Sequence, residues 1–126
     1  MSFSNYLETE ILDHVFGGAA YTAPSTLYVA LYTATPNDAG GGTELSGSGY
    51  TRRTASFSTS GATTSNSGAV EYPTATGSWG TITHIGVFDA ATSGNLLAYG
   101  ALSASKAVAT GDVFRIPAGD LDITLN

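Results

Sequence analysis

The chain has 126 residues, a formal net charge of −6, four basic residues and no cysteine. This length fits one domain with its own core, and the lack of cysteine excludes disulfides, thiol nucleophiles and cysteine-based zinc sites. Four basic residues are too few for the cationic footprint that binds nucleic acid or an anionic membrane, so we expect neither as a partner.

The fraction of charged residues is low. It is 11%, whereas about a quarter is usual in a soluble globular domain. We expect other proteins to cover much of this surface; the alternative is a β-protein with neutral polar loops. No stretch approaches the ~20 apolar residues of a membrane span, and acidic residues interrupt any leader-like run near the start. The sequence thus predicts a protein made in the cytosol, and kept there or released by lysis.

Residues 1–18 predict one short amphipathic helix. Ser4 is a suitable N-cap, and Gly17-Gly18 provides the end. The apolar stripe, at a 3.6-residue period, consists of Leu7, Ile11, Leu12 and Val15, with Phe16 beside it. A helix of about three turns is marginal alone, so we expect it to dock onto another element.

Residues 27–125 predict an all-β sandwich or barrel of seven or eight short strands, so that residues 1–126 form one domain. The strongest strand, 27–33, is apolar on both faces, as in a central strand covered twice. The other predicted strands are 50–57, 69–74, 82–88, 96–102, 107–109, 113–116 and 121–125.

Two loops interrupt this pattern. Residues 34–49 form a longer connection than usual, which indicates a functional segment, a mobile one, or one ordered by a neighbour. Residues 58–68 are almost wholly small and polar, which predicts a flexible loop or arm. We expect these loops and the opening segment to contact partners, because of their length and exposure.

No catalytic or metal-binding pattern stands out, so we predict a protein that is not an enzyme and needs no cofactor or metal. His14 is expected at the helix end and His84 as a hydrogen-bonded strand residue, since the two offer no closely spaced metal pair. Asp120 and Asp122 share a strand face downstream of Asp112. They suit a Ca²⁺ site or an acid pair less well than a solvated strand edge, because EF-hand spacing is missing. Nucleotide-binding and serine-hydrolase fingerprints are also missing.

The basic and aromatic residues leave alternatives open. Arg52 and Arg53 point to opposite faces of a strand. Either one pairs with a carboxylate of this chain and the other with a partner, or both form internal ion pairs. Trp79 is expected in the core, the alternative being an interface anchor. The tyrosines are expected to pack across strands, the alternative being a sugar-binding face.

Several short motifs, weak singly, carry a resemblance through their order and spacing. They are Ile11-Leu12-Asp13-His14-Val15-Phe16-Gly17-Gly18, the segment 21–33, Thr43-Glu44 before Gly47-Ser48-Gly49-Tyr50-Thr51-Arg52, Trp79-Gly80 with His84, Phe88-Asp89-Ala90 and Gly94-Asn95-Leu96-Leu97-Ala98. Together they resemble a family of small virion proteins of tailed bacteriophages, often labelled tail-fibre-like. That family is similar to the jelly-roll cement, or decoration, proteins of phage capsids.

This resemblance implies a jelly-roll-like antiparallel β-sandwich with a short N-terminal helix, and a structural role in the virion. We expect a cement protein, made in the host cytoplasm, that binds the outer surface of the assembled head and bridges neighbouring major capsid proteins. We expect it to be a homo-oligomer, in the first place a dimer, with a trimer as the alternative. The alternative is a tail-associated fibre or receptor-binding component that recognises host surface glycan. The predicted partner-binding residues are Phe3, Tyr6, Pro36, Asn37, Asp38, Glu44, Arg52 and Arg53.

Overall fold

The computed structural model describes residues 1–125 and contains eleven strands and one helix within them. The elements are β1 (Ser2–Phe3), α1 (Asn5–Val15), β2 (Leu27–Ala34), β3 (Thr43–Glu44), β4 (Arg53–Ala55), β5 (Phe57–Ser60), β6 (Thr63–Asn66), β7 (Val70–Glu71), β8 (Gly80–Phe88), β9 (Leu96–Val108), β10 (Arg115–Ile116) and β11 (Asp122–Thr124). Every pairing between these strands is antiparallel. The predicted all-β sandwich with one short helix is confirmed.

The larger layer is a sheet of order β1-β9-β8-β2-β3, in which β4 also pairs with β2. The central strand β2 is apolar on both faces because it is covered on both. Val29 and Leu31 point into the main core, and Ala30 and Tyr32 into a smaller cluster on the opposite face. The prediction of a central, doubly covered strand at 27–33 is therefore confirmed.

The second layer consists of a two-stranded sheet, β10-β7, and a three-stranded sheet, β11-β6-β5. Between the layers lies the main core, made of Val29, Leu31, Val70, Tyr72, Ala75, Trp79, Ile82, Ile85, Val108, Phe114, Ile116 and Leu121. Trp79 belongs to the core, as predicted. Its indole N–H donates to the Ser48 carbonyl over 2.8 Å, and its ring meets that of Tyr50 edge to face at 5.7 Å.

The segment 58–68, predicted to be a flexible loop or arm, is instead mostly an ordered hairpin. β5 and β6 pair from Phe57↔Asn66 to Ser60↔Thr63, and β11 extends the sheet. Gly61, at φ +62°, takes the first position of the two-residue turn, where a type II′ turn requires a positive φ. Hydroxyl groups of neighbouring strands also bond across the sheet, for example Thr59 to Thr64 at 3.0 Å. The prediction was wrong because small polar residues that include β-branched threonines form a strand once a partner strand is available.

Two strand boundaries also differ from prediction. The strand predicted for 50–57 is divided, because β4 pairs with β2 while β5 turns to β6. The strands predicted for 96–102 and 107–109 are one strand, β9. Its register against β8 shifts between Ile82↔Lys106 and His84↔Ala101, so that residues 102–105 bulge opposite Thr83.

The helix α1 begins after its predicted N-cap, with the Leu7 N–H donating to Ser4 Oγ over 3.2 Å. It ends at Val15, with Phe16 as C-cap, slightly before the predicted Gly17-Gly18. None of its residues is buried. In the described part of the chain, no helix has the length and apolar character needed to cross a bilayer.

Candidate interaction surface

The predicted partner-binding residues fall into two groups in the structure. Glu44, Arg52 and Arg53 lie along the edge of the large sheet beside β2. Phe3 and Tyr6 lie at the start of the chain, and the residues 36–38 approach this start from the loop after β2.

The sheet edge beside β2 is interrupted. β3 pairs with the end of β2 at Tyr32, and β4 pairs with its beginning, while the chain between them leaves the edge. Inside the gap, the Leu31 N–H donates to the hydroxyl of Tyr50 over 3.1 Å, and that hydroxyl donates to Glu44 Oε2 over 2.7 Å. The tyrosine side chain thereby replaces the missing strand as a hydrogen-bond partner, which a buried backbone N–H needs.

Arg52 completes this arrangement. Its guanidinium binds Glu44 through two hydrogen bonds of 2.8 Å, in the bidentate geometry that favours Arg–carboxylate pairs. Nη1 also donates to the carbonyls of Ala90 and Ser93 over 2.9 Å and 2.8 Å. Its Cζ atom lies 3.7 Å from the ring centroid of Phe88. We call Glu44, Tyr50 and Arg52 the edge clamp, because their hydrogen bonds connect β3, the Leu31 N–H inside the gap and the β8–β9 turn.

The electrostatics of the edge clamp follow from burial and pairing. Burial alone would raise the pKa of Glu44, but the hydrogen bonds from Arg52 and Tyr50 and the charge of Arg52 outweigh it and hold that pKa below its ordinary value. Burial and the bond to Glu44 raise the pKa of the Tyr50 hydroxyl. Burial beside Glu44 raises the pKa of Tyr32 to about 12. The clamp is therefore a charged pair with a neutral tyrosine at ordinary pH, and the hydrogen bonds described above are all made within the chain.

The adjacent arginines have different environments. The side chain of Arg52 is only 7% exposed, whereas Arg53 is exposed on β4. The part of the prediction in which one arginine pairs with a carboxylate of this chain is confirmed. Whether Arg53 contacts a partner stays a prediction.

The loop after β2 is ordered by the chain itself and holds the start of the helix. Pro36 is buried, whereas Asn37 and Asp38 are exposed. The Asn37 side chain accepts from the Ala39 N–H over 2.9 Å. Asp38 accepts from the Asn5 N–H through its carbonyl over 2.9 Å and from the Tyr99 hydroxyl through its carboxylate. Two of the three predicted partner residues of this loop therefore reach the surface.

The N-terminal segment is fixed at its base. Two pairs, Ser2↔Tyr99 and Phe3↔Ala98, join β1 to β9. The backbone N–H of Ser4 then donates to the Leu97 carbonyl over 2.8 Å, and its buried hydroxyl donates to Leu96. Phe3 and Tyr6 are half-buried at this base. The first turn of α1 is thus tied to the sheet.

The other end of α1 is exposed and apolar. Leu12, Val15 and Phe16 are 57%, 60% and 81% exposed, and we call these three residues the apolar helix end. Single exposed apolar residues are normal, whereas large exposed apolar patches often mark interaction sites, so these three residues form a candidate contact surface. Sequence reasoning selected the opening segment but named Phe3 and Tyr6 and missed these residues. The amphipathic stripe was the available signal, and it was taken to face another element.

The remaining polar candidates have local hydrogen-bond partners. His14 accepts from the Tyr21 N–H over 3.0 Å, and His84 bonds to the Thr83 hydroxyl over 2.9 Å. Asp122 accepts from Ser65 across the β11–β6 pair. Within residues 1–125, no three His, Cys, Asp or Glu side chains are grouped so that they could hold a metal ion.

Comparison with known proteins gives one family. A family model described as "Podophage GP4 fiber I protein gp80" matches residues 2–124. No curated protein matches the sequence.

Proposed function

The chain belongs to the podophage fiber I family and is thus a phage virion protein, and from this membership we propose that it is a non-catalytic structural subunit of a virion fibre. The observation that carries the proposal is the family match, which includes both the sandwich and the helix. The description of the matched family names a fibre protein and does not name an enzymatic activity.

The physical properties of the chain suit such a subunit. The core and the edge clamp favour a rigid sandwich, because the gap in the sheet edge is closed by part-buried hydrogen bonds. Only 11% of the residues are charged. Such a surface costs less free energy to desolvate against another protein than a highly charged one. The apolar helix end provides exposed side chains of the kind that anchor interfaces.

A capsid cement role is the second candidate. The sequence resemblance favours it, and so does the same weakly charged surface. A protein that binds only the assembled shell stabilises it by about 2.7 kcal/mol per site at a hundredfold excess over its Kd. Contacts with two neighbouring major capsid proteins would add avidity. The partner in this case is the major capsid protein on the outer surface of the head.

An experiment on purified virions separates the two candidates. Quantitative mass spectrometry gives the copy number relative to the major capsid protein, and gold-labelled antibody locates the protein by electron microscopy. The fibre proposal predicts few copies and labelled fibres. A copy number comparable to that of the major capsid protein, with labelled heads, would favour cement instead. Absence from virions contradicts both.

Two activities that would change this proposal have direct tests. Glycan recognition would appear as binding on a glycan array, with a stained host surface. Glycoside hydrolysis requires two carboxyl groups on either side of the scissile bond; Asp120 and Asp122 are the nearest sequence candidates. The non-catalytic proposal predicts that D120A and D122A leave the effect of virions on host glycan unchanged.

A further inference from the structure

We propose that the apolar helix end of one copy inserts into an open groove of a second copy of this chain. This deepens the proposed function, on which it rests, by naming a partner for the exposed helix. The contact would be head to tail, since the helix and the groove are different surfaces of the same molecule.

The groove lies beside β9, and the main core lies beneath it. Its volume is about 470 Å³, within the roughly 300–1,000 Å³ range of ligand-binding clefts. Its floor is formed by core residues that are each at most 7% exposed, and half-buried apolar side chains lie beside them. The floor residues are Ile85, Phe114, Ile116 and Leu121, and the half-buried ones are Met1 and Leu102. The groove therefore offers apolar surface to an incoming aromatic side chain.

The bulge in β9 forms one wall of this groove. Residues 102–104 and Lys106 line it, and residues 102–105 have only Thr83 opposite them in β8. A bulge of this size bends the strand away from its neighbour and prevents regular strand addition at the edge. This part of the β9 edge is therefore better suited to bind an incoming side chain than to pair with another strand.

The β9 wall of the groove offers a cation to the acidic helix. The helix carries Glu8, Glu10 and Asp13, which are three of the ten acidic residues of the chain. The groove is lined by two of its four basic residues, Lys106 and Arg115. The single ion pair found among residues 1–125 is that of the edge clamp, so neither of these two cations forms one.

The groove is also lined by two carboxylates, Asp120 and Asp122, of which Asp122 belongs to β11 in the second layer. Asp122 is engaged by the Ser65 hydroxyl, and Arg115 lies opposite Glu71 in the β7–β10 register. Lys106, on the β9 wall, lies opposite the apolar residue Ile82 in the β8–β9 register, and not opposite a carboxylate. We therefore expect Lys106 to be the cation that meets Glu8 of the incoming helix, which lies on the same helix face as Leu12 and Val15.

The course of the chain indicates that the helix does not fill its own groove. Met1 lies at the groove, and β1 then runs antiparallel to β9, reaching Leu97 at Ser4. The helix starts there and extends for about 16 Å at 1.5 Å per residue. Phe16 at its far end is 81% exposed. A head-to-tail contact of this kind closes into a ring or continues as a filament.

The test uses two complementary defects and sedimentation velocity of the purified full chain. Phe16→Asp removes the anchor but leaves the groove intact, and Ala104→Glu places a carboxylate on the exposed groove wall but leaves the helix intact. The wild type is expected to form oligomers in a concentration-dependent manner, and each variant alone to be monomeric. Mixed in equal amounts, the variants should form dimers and nothing larger, because only one of the two junctions can assemble.

A charge exchange tests the same contact independently. Lys106→Glu should raise the dissociation constant at least about tenfold, the minimum expected for a contact of more than 1.4 kcal/mol. Combining Lys106→Glu with Glu8→Lys should restore association, because Glu8 lies on the same helix face as Leu12 and Val15. Circular dichroism and thermal melting confirm that every variant folds as the wild type does.

Three results would overturn the inference: a wild type that stays monomeric at its highest soluble concentration, a Phe16→Asp variant that assembles as the wild type does, or a mixture that stays monomeric. These results concern the purified protein. They are distinguishable from failure of the proposed function, which would appear as absence of the protein from virions.

Discussion

The edge clamp and the apolar helix end both lie in regions that the sequence predicts to contact partners, and the fold uses them in opposite ways. The clamp is directed inward, where Arg52 is 7% exposed and binds Glu44 twice. The helix end is directed outward, with Phe16 81% exposed. The charged pair of Glu44 and Arg52 thus makes its contacts within this chain, whereas the apolar residues of the helix end are the ones left exposed.

The largest difference in the free energy of unfolding should appear between alanine variants of the two adjacent arginines, Arg52 and Arg53. We expect Arg52→Ala to reduce the free energy of unfolding by roughly 3–5 kcal/mol, because it leaves the half-buried Glu44 without its cation. Arg53→Ala, the matched control, should change it by less than about 0.5 kcal/mol, as is usual for exposed residues. Urea unfolding measures both. Equal losses from the two variants would mean that the clamp is not a stabilising element.

The contribution of Glu44 in the edge clamp should make the stability of the chain depend on pH. Because the folded pKa of Glu44 lies below its ordinary value of 4.5, its contribution is fully present above about pH 4.5 and is lost as the pH falls through the folded pKa. Glu44→Gln should cost on the order of 2 kcal/mol at neutral pH, since hydrogen bonds to a charged group are lost. The difference from wild type should shrink in acid. A pH-independent difference would contradict this account of Glu44.

Removing the hydroxyl of Tyr50 should have a smaller effect on the free energy of unfolding. Tyr50→Phe keeps the ring in the core but removes the acceptor for the Leu31 N–H and the donor to Glu44. We expect a loss of about 1–3 kcal/mol, the cost of a buried unsatisfied group. Faster amide exchange at Leu31 in hydrogen-exchange measurements should accompany it. An unchanged exchange rate would show that the hydroxyl does not replace the missing strand.

The smallest effect on stability should come from the apolar helix end. Phe16→Ser is expected to change the free energy of unfolding by less than about 0.5 kcal/mol, because the side chain is mostly exposed. Thermal melting of the purified chain under conditions that keep it monomeric measures this. A large loss would mean that the helix end packs against its own sandwich.

Much of the fold can be predicted from short-range patterns. The Ser4 N-cap, the doubly apolar β2 and the position of Trp79 in the core all follow from local residue types and period. The hairpin of β5 and β6 does not, because its order comes from pairing with β11, which lies more than fifty residues away in the sequence. The division of the strand at 50–57 depends equally on long-range pairing.

The candidate surface was predicted less well, for a related reason. Length and composition identify the loop after β2, but they do not reveal that Glu44 and Arg52 meet across eight residues to close a gap in the sheet. Leu12, Val15 and Phe16 have the pattern of a docked helix face. Only the placement of the helix, tied at Ser4 and free at Phe16, shows that this face lacks a partner within the described chain.

The central claim, that this virion protein assembles through its helix and is stabilised by its clamp, is tested most directly in phage particles. The measurement is the copy number of the Phe16→Ser chain in purified virions, compared with Arg53→Ala and the wild type by quantitative mass spectrometry. The account predicts that Phe16→Ser falls by at least about tenfold, as expected when an interface anchor is removed, while Arg53→Ala equals the wild type. Wild-type incorporation of a folded Phe16→Ser chain would contradict the account.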